Sequence, residues 1–364
     1  MLQRCGCWPR WTPSATASIA SARPWPKHSG NTLTTLDVEA VHGMAPDADI
    51  VSVGLSTWEG STPLDSVGYI LDHTRASIVS LSLAFSLAPG MRMAYDQAFQ
   101  EGASQGVGFY FASGDGGNDR TGSYLNPASS GGWETSVGGT SLAIGRNGRR
   151  EWETGWGDGV NTLSADGTSW QQPVQPGGGA GGGWALGEPQ PWYQRGVVPV
   201  KLATGPDGKL DRVGPDVAMD ADFATGLLVG GTALAGSPTT DPSTWRYVEA
   251  DLGGTSLSTP LFAGVQALAQ QARGGKPFGF ANPVLYQRAH GPALRDVTTY
   301  TLPNGATPST VVHGRGGVAK LYSVLGRLPV TPPNPLVPEV GSGFDTETGL
   351  GTPTGAYPWS FVGT

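Results

Sequence analysis

The chain has 364 residues, 57 of them glycine and 30 proline, and its 22 basic against 29 acidic side chains give a formal net charge of -7. That length can bury a full-sized core, and the negative balance argues against nucleic acid or an anionic membrane as the main partner. No apolar run approaches the roughly 20 residues that span a bilayer, and Cys5 and Cys7, the only cysteines, cannot supply a disulfide framework.

Residues 1–33 interleave Trp, Pro, Arg and Ser without a period of 2 or 3.6 and lack the continuous apolar stretch of an export signal, so they are expected to be disordered and outside the fold. From residue 34 the texture changes. TTLDVEAVHGM reads as a helix, ADIVSVGLS as a buried strand, PLDSVGYILDHT as a helix, ASIVSLSLAF as a strand, RMAYDQAFQEGASQ as a helix and GVGFYFAS as a strand. Strands that are apolar on both faces and alternate with helices predict an α/β fold: a parallel sheet covered on both sides. Ligand sites in such sheets lie at the strand ends, which directs attention to the residues after GFYFAS.

Residues 253–260 read Gly-Gly-Thr-Ser-Leu-Ser-Thr-Pro and lead into LFAGVQALAQQA, which has the spacing of a buried helix. A serine at a helix mouth sits near unpaired N–H groups and the positive dipole end, where an oxyanion is stabilised. Ser256 is therefore a candidate nucleophile, and a plain N-cap serine is the competing reading. Pro260 is expected in the first turn, where no N–H donor is needed.

The octapeptide resembles the G-T-S-x-x-x-P signature of the subtilisin and sedolisin peptidase families. A subtilisin-type triad needs a histidine base, and none of His28, His42, His73, His290 and His313 stands in an H-G-T-H context. His42 lies about 140° round the helix from Asp37 and is expected to pair with Glu39 instead. LDVEAVHGMAPDADI, FASGDGGND, NPASSGGWETSVGGTSL, ETGWGDG, GPDVAMDADFATG and GFDTETGLGTP together resemble the sedolisins, the serine-carboxyl peptidases, over residues 34–364. The resemblance implies a subtilisin-like fold, here N-terminally truncated, with Asp37, Asp115 and Ser256 as catalytic residues. A carboxylate base still accepts protons in acid, and a protonated Asp115 donates to the oxyanion.

Departures from the family accompany the likeness. Sedolisins carry the base glutamate one helical turn before the aspartate, and that position is Leu33. SLSLAF stands where Ser-Trp-Gly is common, and GGGAGGGW ends in Trp184 where a small residue is usual. Asp296, Val297, Gly341, Gly343 and Asp345 resemble the family's site for one Ca²⁺, supplying hard oxygen ligands from carboxylates and main-chain carbonyls. The competing reading is a glycine-rich turn in which Asp345 caps the following segment.

The expected activity is endopeptidase cleavage of protein or peptide substrates in acid by a monomeric protein of extracellular origin, though no signal peptide is visible in this chain. A catalytically inactive, calcium-bound binding domain is the alternative. A glycan-binding module would rest only on the 12 tryptophans, most of which belong in a core.

Overall fold

The computed structural model describes residues 19–24, 32–55, 61–83, 87, 90–117, 127–234, 245–313, 319–329 and 337–363. The first part follows the expected alternation: β1 (Ile19–Pro24), α1 (Thr32–Met44), β2 (Ile50–Leu55), α2 (Thr62–His73), β3 (Ile78–Leu81), α3 (Met91–Gln105) and β4 (Gly108–Ala112). β5 (Thr135–Ile144), β6 (Arg150–Gly155), β7 (Gly157–Thr162), β8 (Gln175–Gly179), β9 (Gly183–Pro189), β10 (Asp211–Gly214), β11 (Val217–Asp220), β12 (Leu227–Leu234) and β13 (Trp245–Leu252) lead to the long helix α4 (Thr255–Ala272).

The central sheet has the order β11-β5-β4-β3-β1-β2, parallel throughout, with β6 added antiparallel to β5. Alternation along its strands builds two cores. Ile78, Tyr110, Val137 and Val217 point to the side of Val41 on α1 and Phe262 on α4. Val79, Leu81, Phe109 and Phe111 point to the side of Val67 and Ile70 on α2 and Tyr95 and Phe99 on α3. Both faces are covered, as a parallel sheet requires.

The N-terminal boundary differs from the sequence expectation. Ile19–Pro24, inside the segment read as lying outside the fold, forms β1 between β2 and β3, pairing with both. A gap there would leave two unpaired strand edges in the middle of the sheet. IASARP, with small residues and a terminal proline, carries no alternation that could signal a strand.

Beneath the sheet's C-terminal strands lies a buried ion pair: Arg212 and Asp216 meet at 2.8 Å with both side chains fully buried. Asp216 also accepts from Ser136 N (2.8 Å) and Tyr286 Oη (2.9 Å), which ties β5 to the GPDVAMDAD segment. This satisfies the charges that burial would otherwise penalise. No helix among the described residues is long and apolar enough to cross a membrane.

Candidate active site

Helix α4 begins at Thr255, so Ser256 is its second residue and half-exposed at the amino end, among the amides that have no intrahelical acceptor. Gly254 turns the chain into the helix with φ +86°, and its amide donates to Ala221 O. A Cβ there would lie 2.7 Å from Asp115 Oδ2, so glycine is required for both conformation and space.

Pro260 is inside the helix rather than in its first turn as the sequence reading had it. Lacking an N–H, it leaves the carbonyl four residues earlier without its helical donor, and that carbonyl belongs to Ser256. The hydroxyl of Ser82, just beyond β3, lies 2.9 Å from Ser256 O and 2.8 Å from Asp37 Oδ1; its single proton can go to that carbonyl while a protonated Asp37 donates to Ser82 Oγ, or to Asp37 when the carboxyl is ionised. Asp37 is only 2% exposed and reaches this point from the buried face of α1, which packs against α4. The Ser256 hydroxyl is 3.5 Å from Ser82 O.

Asp115 approaches from the other side, after β4. Its Oδ1 accepts from Thr255 N (2.7 Å) and Thr255 Oγ1 (2.8 Å), while Gly114 N donates to Thr255 Oγ1 (3.1 Å). Its backbone is held by the end of β8, where Gly179 N donates to Asp115 O (3.1 Å) and Gly117 N to Gly179 O (2.9 Å). The three predicted residues Asp37, Asp115 and Ser256 are thus brought to one helix end, the first through Ser82 and the second through Thr255. Neither linking hydroxyl was singled out from the sequence. Pro260, four residues after Ser256, was the available signal for the first.

Leu33 lies in the first turn of α1, 40% exposed. His42 is exposed, and Glu39, its expected partner, instead accepts from Gly230 N (3.2 Å) across to β12. His73 is exposed on α2 and stacks on Tyr69, His290 lines a cavity near the C-terminus, and His28 falls outside the described residues. Trp184 is half-buried and donates its indole N–H to Leu202 O (2.6 Å) while packing on the core, a structural use. Ala84 and Phe85 of SLSLAF, and Asn118 and Asp119 of FASGDGGND, lie outside the described residues.

The two halves of the expected calcium site are adjacent: Gly343 N donates to Asp296 Oδ2 (2.9 Å). Asp296 and Gly343 line a cavity of about 280 Å³ with His290 and Phe344. Asp345 is buried and caps its own turn, accepting from Gly341 N (3.0 Å), Glu347 N (2.9 Å), Thr348 N (2.6 Å) and Thr348 Oγ1 (3.0 Å). Val297 is buried beside Asp296. No cluster of three or more His, Cys, Asp or Glu side chains among the described residues could hold a metal, so a cation would draw most of its ligands from main-chain carbonyls. The donor set consists of hard oxygens and fits calcium in kind.

The subtilase family (peptidase S8) pattern matches residues 14–284. Kumamolisin of Bacillus sp. (strain MN-32) is 31% identical over 330 residues, covering 88% of this chain and 49% of that protein. Sedolisin of Pseudomonas sp. (strain 101) is 31% identical over 212 residues, covering 54% of this chain and 30% of the relative. Human tripeptidyl-peptidase 1 is 35% identical over 129 residues, 33% of this chain and 20% of that protein. The chain therefore spans about half or less of the length of these relatives. Among solved structures, Pseudomonas sedolisin, a serine-carboxyl proteinase complexed with two molecules of pseudo-iodotyrostatin, is similar with a TM-score of 0.62 at 22% identity, over 93% of this chain and 89% of that one. That likeness speaks for the fold.

Proposed function

The chain belongs to the subtilase family as a sedolisin-like member, and from that premise we propose that it is a serine-type endopeptidase acting on proteins or peptides in acid, with Ser256 as nucleophile. The observation that carries this reading is the convergence of two carboxyls on one helix end, Asp37 through Ser82 and Asp115 through Thr255. Ser256 Oγ attacks the peptide carbonyl and forms the tetrahedral intermediate, its proton passing to a carboxylate base. Asp115, protonated on Oδ2, donates a hydrogen bond to the new oxyanion. A carboxyl can donate only while protonated, and carboxyls ordinarily keep that proton only in acid, so an acidic working range goes with this role.

Leu33 can neither take nor relay a proton, so the base function rests on Asp37 alone and turnover is slow. In triads that act as a unit, loss of one member costs on the order of 10⁴ to 10⁶ in kcat. The same residue favours a second reading, in which the chain is an inactive, calcium-bound binding domain. A single Ca²⁺ held by Asp296, Asp345 and the carbonyls of Val297, Gly341 and Gly343 would brace the C-terminal loop in either case. We further propose a monomer of extracellular origin.

The test is hydrolysis of a denatured protein substrate at pH 3–6 by the unsubstituted chain and by Ser256→Ala, with covalent labelling of Ser256 by a fluorophosphonate. Slow hydrolysis that vanishes in Ser256→Ala is expected. Hydrolysis that survives the substitution would overturn the nucleophile assignment, and an inactive chain that melts lower after chelation supports the second reading.

A further inference from the structure

Behind Asp115 and Gly254 lies a second pair of acids that the proposed reaction does not use. Asp158, on β7, is 1% exposed, and Asp222, two residues past β11, is fully buried. Asp158 Oδ2 accepts from the indole N–H of Trp156 (3.0 Å), and Asp222 Oδ1 accepts from Ala224 N (2.7 Å). The other oxygens, Asp158 Oδ1 and Asp222 Oδ2, meet no donor within hydrogen-bond geometry among the described residues. The two carboxyls neighbour each other, and the buried Ser141 hydroxyl lies beside Asp222 as a further polar neighbour.

Two ionised carboxylates in that arrangement would repel one another and would leave Asp158 Oδ1 unpaired, since the Ser141 hydroxyl can serve Asp222 but not Asp158. One proton between them removes both penalties, because a protonated carboxyl becomes a donor. The charged groups around the pair favour the same outcome. Glu347 faces Asp158, and Asp220 faces Asp222 with Glu153 behind it. The cations nearby act on these outer acids, Arg327 on Glu347 and Arg150 and Arg295 on Glu153.

The pair joins the two halves of the candidate site. Trp156, beside Asp158, packs on Ala180 and Ala221, and its carbonyl accepts from Ala180 N (2.9 Å) next to Gly179, which holds the Asp115 backbone. Asp222 follows Ala221, whose carbonyl accepts from Gly254 N at the mouth of α4. A Cβ on Gly253 would strike Ala221 O at 2.6 Å and Phe223 N at 2.7 Å, so this turn bears directly on the segment that presents Ser256.

We propose that Asp158 and Asp222 share one proton in an O–H···O bond, and that this bond is a positioning clamp holding the Gly253–Gly254 turn in register with the Asp115 segment. Burial, with the Asp222 carboxyl beside it, pushes Asp158 up to about 9, and burial also raises Asp222. A carboxyl raised in the folded state stabilises the fold fully below its unfolded value, and that contribution is lost as pH climbs through the folded value. The clamp is therefore closed in acid and opens in mild alkali. Its positioning role, unlike the clamp itself, rests on the peptidase reading.

Asp158→Asn tests it, because the amide still accepts from Trp156 while donating to Asp222 without a borrowed proton. Asp222→Asn does the same from the other side and serves if the first variant fails to fold. Melting temperature is followed from pH 4 to pH 10, together with the infrared band of protonated carboxyl groups and the pH profile of Ser256 labelling by a fluorophosphonate. The unsubstituted chain is expected to lose about 5–10 °C between pH 5 and pH 9. Either asparagine variant should at least halve that loss, weaken the protonated-carboxyl band at pH 7 and extend Ser256 labelling toward higher pH. An unchanged melting slope and band in both variants would overturn the shared proton, and a flattened melt with an unmoved labelling profile would overturn the positioning role. Absence of labelling at every pH in all chains defeats the peptidase reading, and with it the positioning role, while the melts and infrared bands still decide the clamp.

Discussion

Replacing Ser82 with alanine examines the link between Asp37 and the nucleophile helix most directly. The substitution removes the hydroxyl lying 2.8 Å from Asp37 Oδ1 and 2.9 Å from Ser256 O. It removes the hydroxyl shared by Asp37 and the Ser256 carbonyl, and Pro260 has no N–H to offer that carbonyl instead. An under-satisfied carbonyl costs about 1–3 kcal/mol when buried, and this one is part-buried, so Ser82→Ala should destabilise the fold by about 1–2 kcal/mol. Pro260→Ala restores the helical N–H at the cost of some packing. In the Ser82→Ala background the new N–H takes over the lost contact, and the double variant should recover about 1 kcal/mol relative to the sum of the singles. Urea unfolding of the four chains at pH 5 measures this cycle. Additivity within about 0.5 kcal/mol would refute the idea that Ser82 replaces the donor missing at Pro260.

Leu33→Glu places a carboxylate one turn before Asp37 and at the positive end of α1; it should raise kcat/KM in acid by about 10² to 10⁴, and no gain from a folded protein would discard that position as the seat of the missing base. Asp115→Asn keeps an acceptor for Thr255 and gains a donor that needs no acid, so the pH range of hydrolysis should extend upward; an unchanged acid range would argue against Asp115 as the oxyanion donor. Chelation should lower the melting temperature, and an unchanged melt with no metal found by mass spectrometry would remove calcium from the account. Asp345→Ala should destabilise the chain by about 3 kcal/mol with or without calcium, since four donors lose their acceptor. Asp296→Asn, by contrast, should matter mainly while the ion is bound.

Periodicity made much of this architecture readable in advance. Val79, Leu81, Phe109 and Phe111 alternate with Ile78 and Tyr110, and such double-sided apolar strands can only be buried between two helical layers. β1 was not readable, because IASARP owes its strand conformation to the open edges of β2 and β3 rather than to its own pattern. Asp37, Asp115 and Ser256 stand in distinctive local strings, which is why the sequence offers them as candidates. Ser82 and Thr255 are not offered in the same way, since a hydroxyl on a strand end or helix cap looks the same whether it holds an acid at the start of a helix or merely faces water. Asp158 and Asp222 were hidden for a related reason. Asp158 between two glycines reads as a turn residue and Asp222 as one acid in a short loop, and only their burial side by side reveals a pair.

Those buried acids bear on why the fold and the chemistry share one medium. Glu153, Asp158, Asp220 and Asp222 are all raised, in each case chiefly by burial, and half-buried Asp96 is pushed up to about 6. Each of these groups binds its proton more tightly folded than unfolded, so its contribution to stability is full below about pH 4 and is lost as pH rises through its folded value. A protein relying on ionised, salt-bridged carboxylates would behave in the opposite way and fail in acid. These buried acids hold best in the acid range that the proposed oxyanion donor requires, so the Asp158–Asp222 clamp and the proposed reaction favour the same medium.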